Sequence, residues 1–364
     1  MGKTTLALTI AACLLRAVAA EERTWTDNTG RHRVEAEYIA AQTDKVWLRR
    51  ASDNKVFELR LAELCQADQD HVRKLLQEKE TEQQARQPDH AGRISYGPPR
   101  QLATLANPAI DESSGLACSR RKRGLFWTHN DSGDAARIYL FDSKGHDLGS
   151  FTLAGVRAWD WEDMASFTWR DKHYLLVGDV GNNGLAAPVQ MLHLVEEPPI
   201  DLQKGVTVGQ VPVVQTIQYS YEDDHRDCEA VAVDPTDRTI LLAAKHYDVK
   251  CSVYALDWPE NDPEKVHVAR PIATSKVPLV TGMDVSPDGR RAVLVTYWNA
   301  YEFERKESED WAAAFSRDPR EIRLPLRIQG ESLCYGPDGR TIYLTSEKRP
   351  TPLWEVPVAA EKPE

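Results

Sequence analysis

The sequence predicts a mainly β chain: a five-bladed β-propeller, with six blades as the alternative count, preceded by a small N-terminal barrel. Three observations carry this expectation. A strand–turn–strand unit recurs with a period near fifty residues over the last two thirds of the chain. Residues 23–76 place several short alternating strands within about fifty positions. Twenty Gly, 21 Pro and 10 Trp in 364 residues supply turns and aromatic anchors for many short strands.

Residues 1–20 read as an export signal. Lys3 gives the positive start, Thr4 to Leu15 form a short apolar run, and Ala17-Val18-Ala19-Ala20 offers small residues for cleavage. The run is too short to span a bilayer, so no transmembrane anchor is expected. The mature chain is then periplasmic or secreted. A rival reading takes Ile10-Ala11-Ala12-Cys13 as a lipoprotein box, with Cys13 lipidated. After residue 20 five cysteines remain, Cys65, Cys118, Cys228, Cys251 and Cys334. An odd count at wide spacing is not a disulfide framework. One bridge stays open as a reading, beside buried free thiols.

Residues 21–76 form a compact module. Trp25-Thr26-Asp27-Asn28-Thr29-Gly30 ends a strand in turn chemistry. Val34, Ala36 and Tyr38 alternate with charged residues, and Lys45–Arg50 and Lys55–Leu61 repeat the alternation. Leu61, Leu64, Val72, Leu75 and Leu76 then follow helical spacing. The segment Arg23-Thr24-Trp25-Thr26-Asp27, Gly30, Glu35-Ala36-Glu37-Tyr38, Val46-Trp47-Leu48 and Leu61…Leu64…Asp68 resembles the SLA-type homology domain, an SH3-like barrel. That resemblance implies protein binding. The plainer reading makes Trp25 and Trp47 core residues. Residues 77–99 lack an apolar face at first and then carry Pro, Gly and Ser, which reads as a frayed helix end and a linker.

The repeat occupies residues 100–358, with a short tail at 359–364. Glu331-Ser332-Leu333-Cys334-Tyr335-Gly336-Pro337-Asp338-Gly339 parallels Glu229-Ala230-Val231-Ala232-Val233-Asp234-Pro235-Thr236-Asp237. Further copies start at Thr281, Glu162 and Ser114. The starts 114, 162, 229, 281 and 331 differ by 48, 67, 52 and 50. The long interval is an insertion before Glu229, and it leaves six blades open. Third strands are expected at Arg137–Phe141, Val189–Val195, Ser252–Leu256 and Pro352–Val356. The last copy lacks a fourth strand, which Gln101–Leu105 would supply and so close the ring.

In such a ring the first repeat position and the end of the second strand open on one mouth of a channel. There stand Ser114, Glu162, Glu229, Thr281 and Glu331, and seventeen residues on, Asp131, Asp179, His246, Trp298 and Lys348. One position earlier come Asn130, Gly178, Lys245, Tyr297 and Glu347, with Glu112 and Asp284 close in sequence. Glutamates in register repel one another and need protons, cationic partners, water or a hard cation. An oxygen-rich set suits Ca²⁺ better than Zn²⁺. The plain alternative is that each Glu caps backbone N–H groups. His129-Asn130-Asp131 and Gly178-Asp179 fall at equivalent turns 48 residues apart, and Trp159 is a candidate rim contact. Zinc at His225-Arg226-Asp227-Cys228 lacks a second ligand pair. A Ser114–His129–Asp131 triad lacks a nucleophile elbow.

The signatures Glu112-Ser113-Ser114-Gly115-Leu116, Asp160-Trp161-Glu162-Asp163, Asp227-Cys228-Glu229-Ala230, Thr281-Gly282-Met283-Asp284 and Gly330-Glu331-Ser332-Leu333 resemble those of phytase-like, also called esterase-like, propeller families. The resemblance implies a calcium-bearing channel and, in some relatives, phosphoester hydrolysis. On that model Asp131, Glu162, Asp179, Glu229 and Glu331 hold metal, and Glu112 and Asp284, close by in sequence, join the candidate metal set. Glu229, Lys245 and Tyr297 are the catalytic candidates, and His129, Asn130, Trp159, Lys348 and Arg349 the ligand contacts. The dense Asp-Asp run of true phytases is not recognisable. Expected partners are a small-molecule ligand, phosphorylated in one reading, or an extracytoplasmic protein. A non-catalytic scaffold for protein or polysaccharide is the alternative. With 45 Lys+Arg against 56 Asp+Glu, a net charge of −11, a nucleic-acid partner is not expected.

Overall fold

The computed structural model describes residues 22–41, 45–52, 56–85, 94–245, 250–259, 262, 264–325, 327 and 329–359. The stretch read as an export signal, with Cys13, and position 246 lie outside them. The chain divides into two compact units, Met1–Gln87 and Pro88–Glu364. Strands dominate both. Among the described residues no helix is long and apolar enough to cross a membrane.

In the first unit β1 (Glu22–Thr26), β2 (Arg33–Ala41), β3 (Lys45–Arg50) and β4 (Val56–Arg60) form an antiparallel sheet in chain order. Gly30, at φ 73°, allows the tight return between β1 and β2. Trp25, Ala36, Val46, Leu48, Leu61, Leu64 and Val72 make the core. Trp25 Nε1 donates to the Ala36 carbonyl at 2.9 Å, and Trp47 is buried, so both tryptophans are core residues. Buried Asp68 accepts the Thr26 N–H at 2.7 Å and pairs with Arg23, tying α1 (Gln66–Ala85) to β1. The helix runs on through 77–85, within the stretch read as a frayed helix end and a linker. Gln, Glu and Lys are good helix formers, and Pro88 is the first breaker.

The second unit runs β5 (Arg100–Thr104), β6 (Ser113–Cys118), β7 (Leu125–Asn130), β8 (Arg137–Asp142) and β9 (Asp147–Leu153). It continues through β10 (Trp161–Trp169), β11 (Lys172–Asp179), β12 (Gln190–Glu196), β13 (Thr207–Val211) and β14 (Val213–Tyr221). Next come β15 (Cys228–Val233), β16 (Ile240–Ala244), β17 (Cys251–Leu256) and β18 (Val266–Ser275). The last group is β19 (Val280–Val285), β20 (Arg291–Thr296), β21 (Ala300–Glu304), α2 (Trp311–Phe315), β22 (Arg320–Ile322), β23 (Leu333–Tyr335), β24 (Ile342–Leu344) and β25 (Pro352–Val356).

Consecutive strands pair antiparallel within groups that begin at β6, β10, β15, β19 and β23. The groups beginning at β10 and β15 join through parallel pairing of β14 with β18, giving one eight-stranded sheet. The insertion before Glu229 supplies β13, which adds in parallel to β9. β5 pairs antiparallel with β25, so the two ends of the unit share a sheet. The leading strands touch in a closed cycle: β6 on β10, β10 on β15, β15 on β19, β19 on β23, and β23 on β6.

Local chemistry explains the turns. Gly289 and Gly339 sit at φ 65° and 66° after Pro-Asp, and Asp288 accepts the Arg290 N–H at 3.1 Å. β6, β15 and β19 are buried along their whole length, and their apolar side chains fill the spaces between neighbouring sheets. At about 1.5–3 kcal/mol for each fully buried large aliphatic side chain, this packing is the main term holding the sheets together.

Candidate functional site

Four leading strands share one irregularity. The ladder slips between Ser113 and Gly115, Trp161 and Asp163, Cys228 and Ala230, and Val280 and Gly282. The residues left over are Ser114, Glu162, Glu229 and Thr281, the first positions of the repeat. A bulge removes its residue from the ladder and re-aims the side chain. Glu331, the fifth such position, lies just before β23 and is also buried. Ser114 Oγ donates to the Glu162 carbonyl at 2.7 Å, and Thr281 Oγ1 donates to the Gly330 carbonyl at 3.0 Å. These two hydroxyls join adjacent strands, whereas the glutamates meet other side chains.

Glu162 stands with Asp131 and Asp160, and one carboxylate oxygen from each lies within 4.8 Å of the other two. Burial, then Glu229, Asp131 and Glu331, push Glu162 well above the usual carboxylate range. Burial also raises Asp131, to about 6, with Glu331 and Asp160 adding to the rise. Asp160 rises for the same reason, helped by Asp227 and Asp179. Gly181 closes against this group. A Cβ there would lie 2.4 Å from Asp160 Oδ2 and from Glu162 Oε1.

Cationic groups stand beside the carboxylates. Lys245 Nζ is 3.0 Å from Glu229 Oε1 and 5.3 Å from the centre of the Tyr297 ring, whose hydroxyl is hydrogen-bonded to it. Burial pushes Glu229 up to about 8 in spite of this ammonium. Burial works against the ammonium too, but Glu229, Tyr297 and Glu331 more than offset it and keep Lys245 charged. Glu331 accepts from Gln329 Nε2 at 2.9 Å. Its neighbour Glu347 is raised well above the usual carboxylate range by burial and by Glu331. Buried Arg327 donates from Nη2 to the Thr296 carbonyl at 3.3 Å, while its Nε and Nη1 have no partner among the described residues. Burial lowers its guanidinium to about 9.

The remaining candidates lie elsewhere or are engaged with backbone. Asp179 accepts the N–H groups of Trp159 at 3.2 Å and Asp160 at 2.8 Å. Asp284 accepts those of Val285 and Tyr335, both at 2.8 Å. Half-buried Glu112 pairs with exposed Lys348 at 2.9 Å. Asn130 accepts the N–H groups of Asp111 and Glu112 and donates to the Ala109 carbonyl, which builds its loop. His129 is fully buried, with Nδ1 on the Asn130 carbonyl at 2.9 Å, and Ser114 faces a carbonyl instead, so no triad assembles. Trp159 is 59% exposed with the Arg157 guanidinium 4.1 Å over its ring. Arg349 is exposed and lines a shallow recess with Thr104, Leu105 and Ile110.

Three residues of consequence were not among the candidates. Asp160 stands two positions before the repeat phase, where Glu112 and Asp227 stand in two other copies. Arg327 falls between recognisable strands and has no sequence signal. Asp163, wholly buried, accepts the N–H of Met164 at 2.8 Å and those of Val231 and Met283 at 2.9 Å. It thus ties β10, β15 and β19 together.

Comparison with known proteins bears on the first unit. Residues 16–80 match the family described as SLA1 homology domain 1, so this part of the chain carries that domain. No curated protein matches the chain. Among solved structures the chain is similar to Raptor of Chaetomium thermophilum, with 12% identity and a TM-score of 0.35 over 70% of this chain and 20% of that one. The chain therefore spans about a fifth of that protein's length, and a likeness at that level carries no statement about fold or function.

Proposed function

We propose that the second unit is a five-bladed β-propeller of the phytase-like or esterase-like kind, acting outside the cytoplasm. In this reading it binds a divalent cation, calcium, and a small anionic ligand at one mouth of its channel. The closed cycle of leading strands and the pairing of β5 with β25 support the propeller. The single observation that carries the site is the mutual approach of Asp131, Asp160 and Glu162 within 4.8 Å. Two oxygens on one calcium ion stand at most about 5 Å apart, so this spacing suits a shared ion. The donors are hard carboxylates, and Gly181 leaves a cradle that a Cβ would fill. When bound, the ion neutralises these carboxylates and polarises an oxygen of ligand or water.

The chain's own residues supply the rest. Lys245 is held charged beside Glu229 and Tyr297, where it meets an anionic group. Arg327 offers further donors. Glu229, raised to about 8, is placed to hold or release a proton near neutral pH. Hydrolysis of a phosphoester is the reaction this set would serve. Calcium should raise the melting temperature and EDTA should reverse the rise; no shift with either would refute the cation reading.

The match of residues 16–80 favours a second reading, a non-catalytic scaffold that binds protein or polysaccharide. Exposed Trp159 would serve it as a rim contact. Calcium-dependent turnover across a panel of phosphoesters, lost in Glu229→Gln, would exclude this second reading.

A further inference from the structure

Cys118 lies on β6 and Cys334 on β23, the leading strands of the first and last groups. Their sulfurs approach to 3.6 Å although the residues are 216 positions apart. Both are at most 2% exposed, packed with Phe126 and Leu353 in the seam where β23 meets β6. The same seam is crossed by hydroxyls: Ser113 Oγ is 2.7 Å from Thr345 Oγ1, which is also bonded to Ser332 Oγ. Without a covalent bond here, the seam is held by packing, by these hydroxyls and by the pairing of β5 with β25.

We propose that Cys118 and Cys334 form a disulfide when the chain folds under oxidising conditions, a covalent clasp across the closing seam. The sulfurs need to approach from 3.6 Å to the bonded distance of about 2.05 Å, a movement that side-chain rotation on two touching strands can supply. The chemistry is thiol–disulfide exchange with a low-molecular-weight disulfide such as oxidised glutathione. One cysteine thiolate attacks the glutathione disulfide and releases one glutathione thiolate. The second cysteine thiolate then attacks the mixed disulfide and releases the other. Two electrons pass to glutathione, and the two thiol protons end on its sulfurs. Access is available before the seam closes, since both sulfurs are sealed in the folded chain. The bond would span most of the second unit, and in the chain-entropy account long loops gain the most from such a link.

The test uses the full chain, unfolded with reductant and refolded by dilution into a reduced/oxidised glutathione mixture. It is then alkylated under denaturing conditions and mapped by peptide mass. The expected result is one peptide holding Cys118 joined to Cys334, split by reductant. With it comes a fall of roughly 5–10 °C in melting temperature on reduction. Cys118→Ala and Cys334→Ala should each remove the joined peptide and the reductant-dependent shift. Alkylation of both sulfurs in the oxidised, refolded chain, or a joined peptide pairing either one with another cysteine, overturns the proposal. If an alanine variant does not fold, the wild-type peptide map decides alone.

Discussion

Asp163 offers the sharpest test of how the leading strands are held. Its carboxylate is fully buried and accepts three backbone N–H groups, one from its own strand and one each from β15 and β19. Burial raises its pKa well above the usual range, while the three donors pull it down. Asp163→Ala leaves all three N–H groups without an acceptor. Each costs about 1–3 kcal/mol when buried and unmade, so the gross loss is roughly 3–9 kcal/mol. Removing a desolvated carboxyl returns part of that, and the expected net loss is about 4 kcal/mol. Asp163→Asn keeps one oxygen. Placed on the Oδ2 side it retains Val231 and Met283 and loses Met164, a cost of about 1–3 kcal/mol. Urea unfolding of the full chain, followed by tryptophan fluorescence, measures both. An Asp163→Ala loss below about 1 kcal/mol would refute the three-strand tie.

Further outcomes follow from the carboxylate group. Gly181→Ala should abolish the calcium-induced rise in melting temperature, because its Cβ would press on Asp160 and Glu162; an undiminished rise would count against the cradle. Asp131 at about 6 and Glu229 at about 8 bind protons more tightly in the folded than in the unfolded chain. Their contribution is therefore complete below about pH 4 and is lost as pH rises through 6 and then 8. Melting temperature in EDTA should fall over that window while the calcium effect grows; a calcium effect independent of pH would contradict this competition. Lys245→Met leaves Glu229 buried without its partner and should cost about 3–5 kcal/mol, less whatever protonation relieves. Lys245→Met combined with Glu229→Gln should recover most of that loss in the same unfolding assay.

Much of the site was legible because repeats expose phase. The first repeat position was found by aligning Glu162, Glu229, Thr281 and Glu331, and four of the five starts fall on bulges that no single copy announces. What the alignment did not separate was the use of each carboxylate. Asp179 and Asp284 sit among the same candidates as Asp131 and Glu162, yet both accept backbone N–H groups on each side of the carboxylate. Which way a short carboxylate points depends on where a neighbouring strand presents its donors, and that is set by packing. The extension of α1 to Ala85 is a different case. Helix propensity is readable at 77–85, but without an apolar face the sequence does not mark where the helix ends.

By itself the sequence determined the strand period, the turn positions, the core tryptophans of the first unit and the phase at which acids recur. These are properties of neighbours along the chain, governed by side-chain alternation and by the dihedral preferences of Pro, Asp and Gly. Tertiary structure alone decided that Asp160 joins Asp131 and Glu162, that Arg327 lies buried near Glu331, and that Cys118 meets Cys334. Asp131 stands 29 positions from Asp160 and Cys118 stands 216 from Cys334, while Arg327 is local to Glu331 and only its burial is a matter of packing. Their distances depend on how whole sheets pack, a sum over many weak apolar contacts that no local pattern encodes.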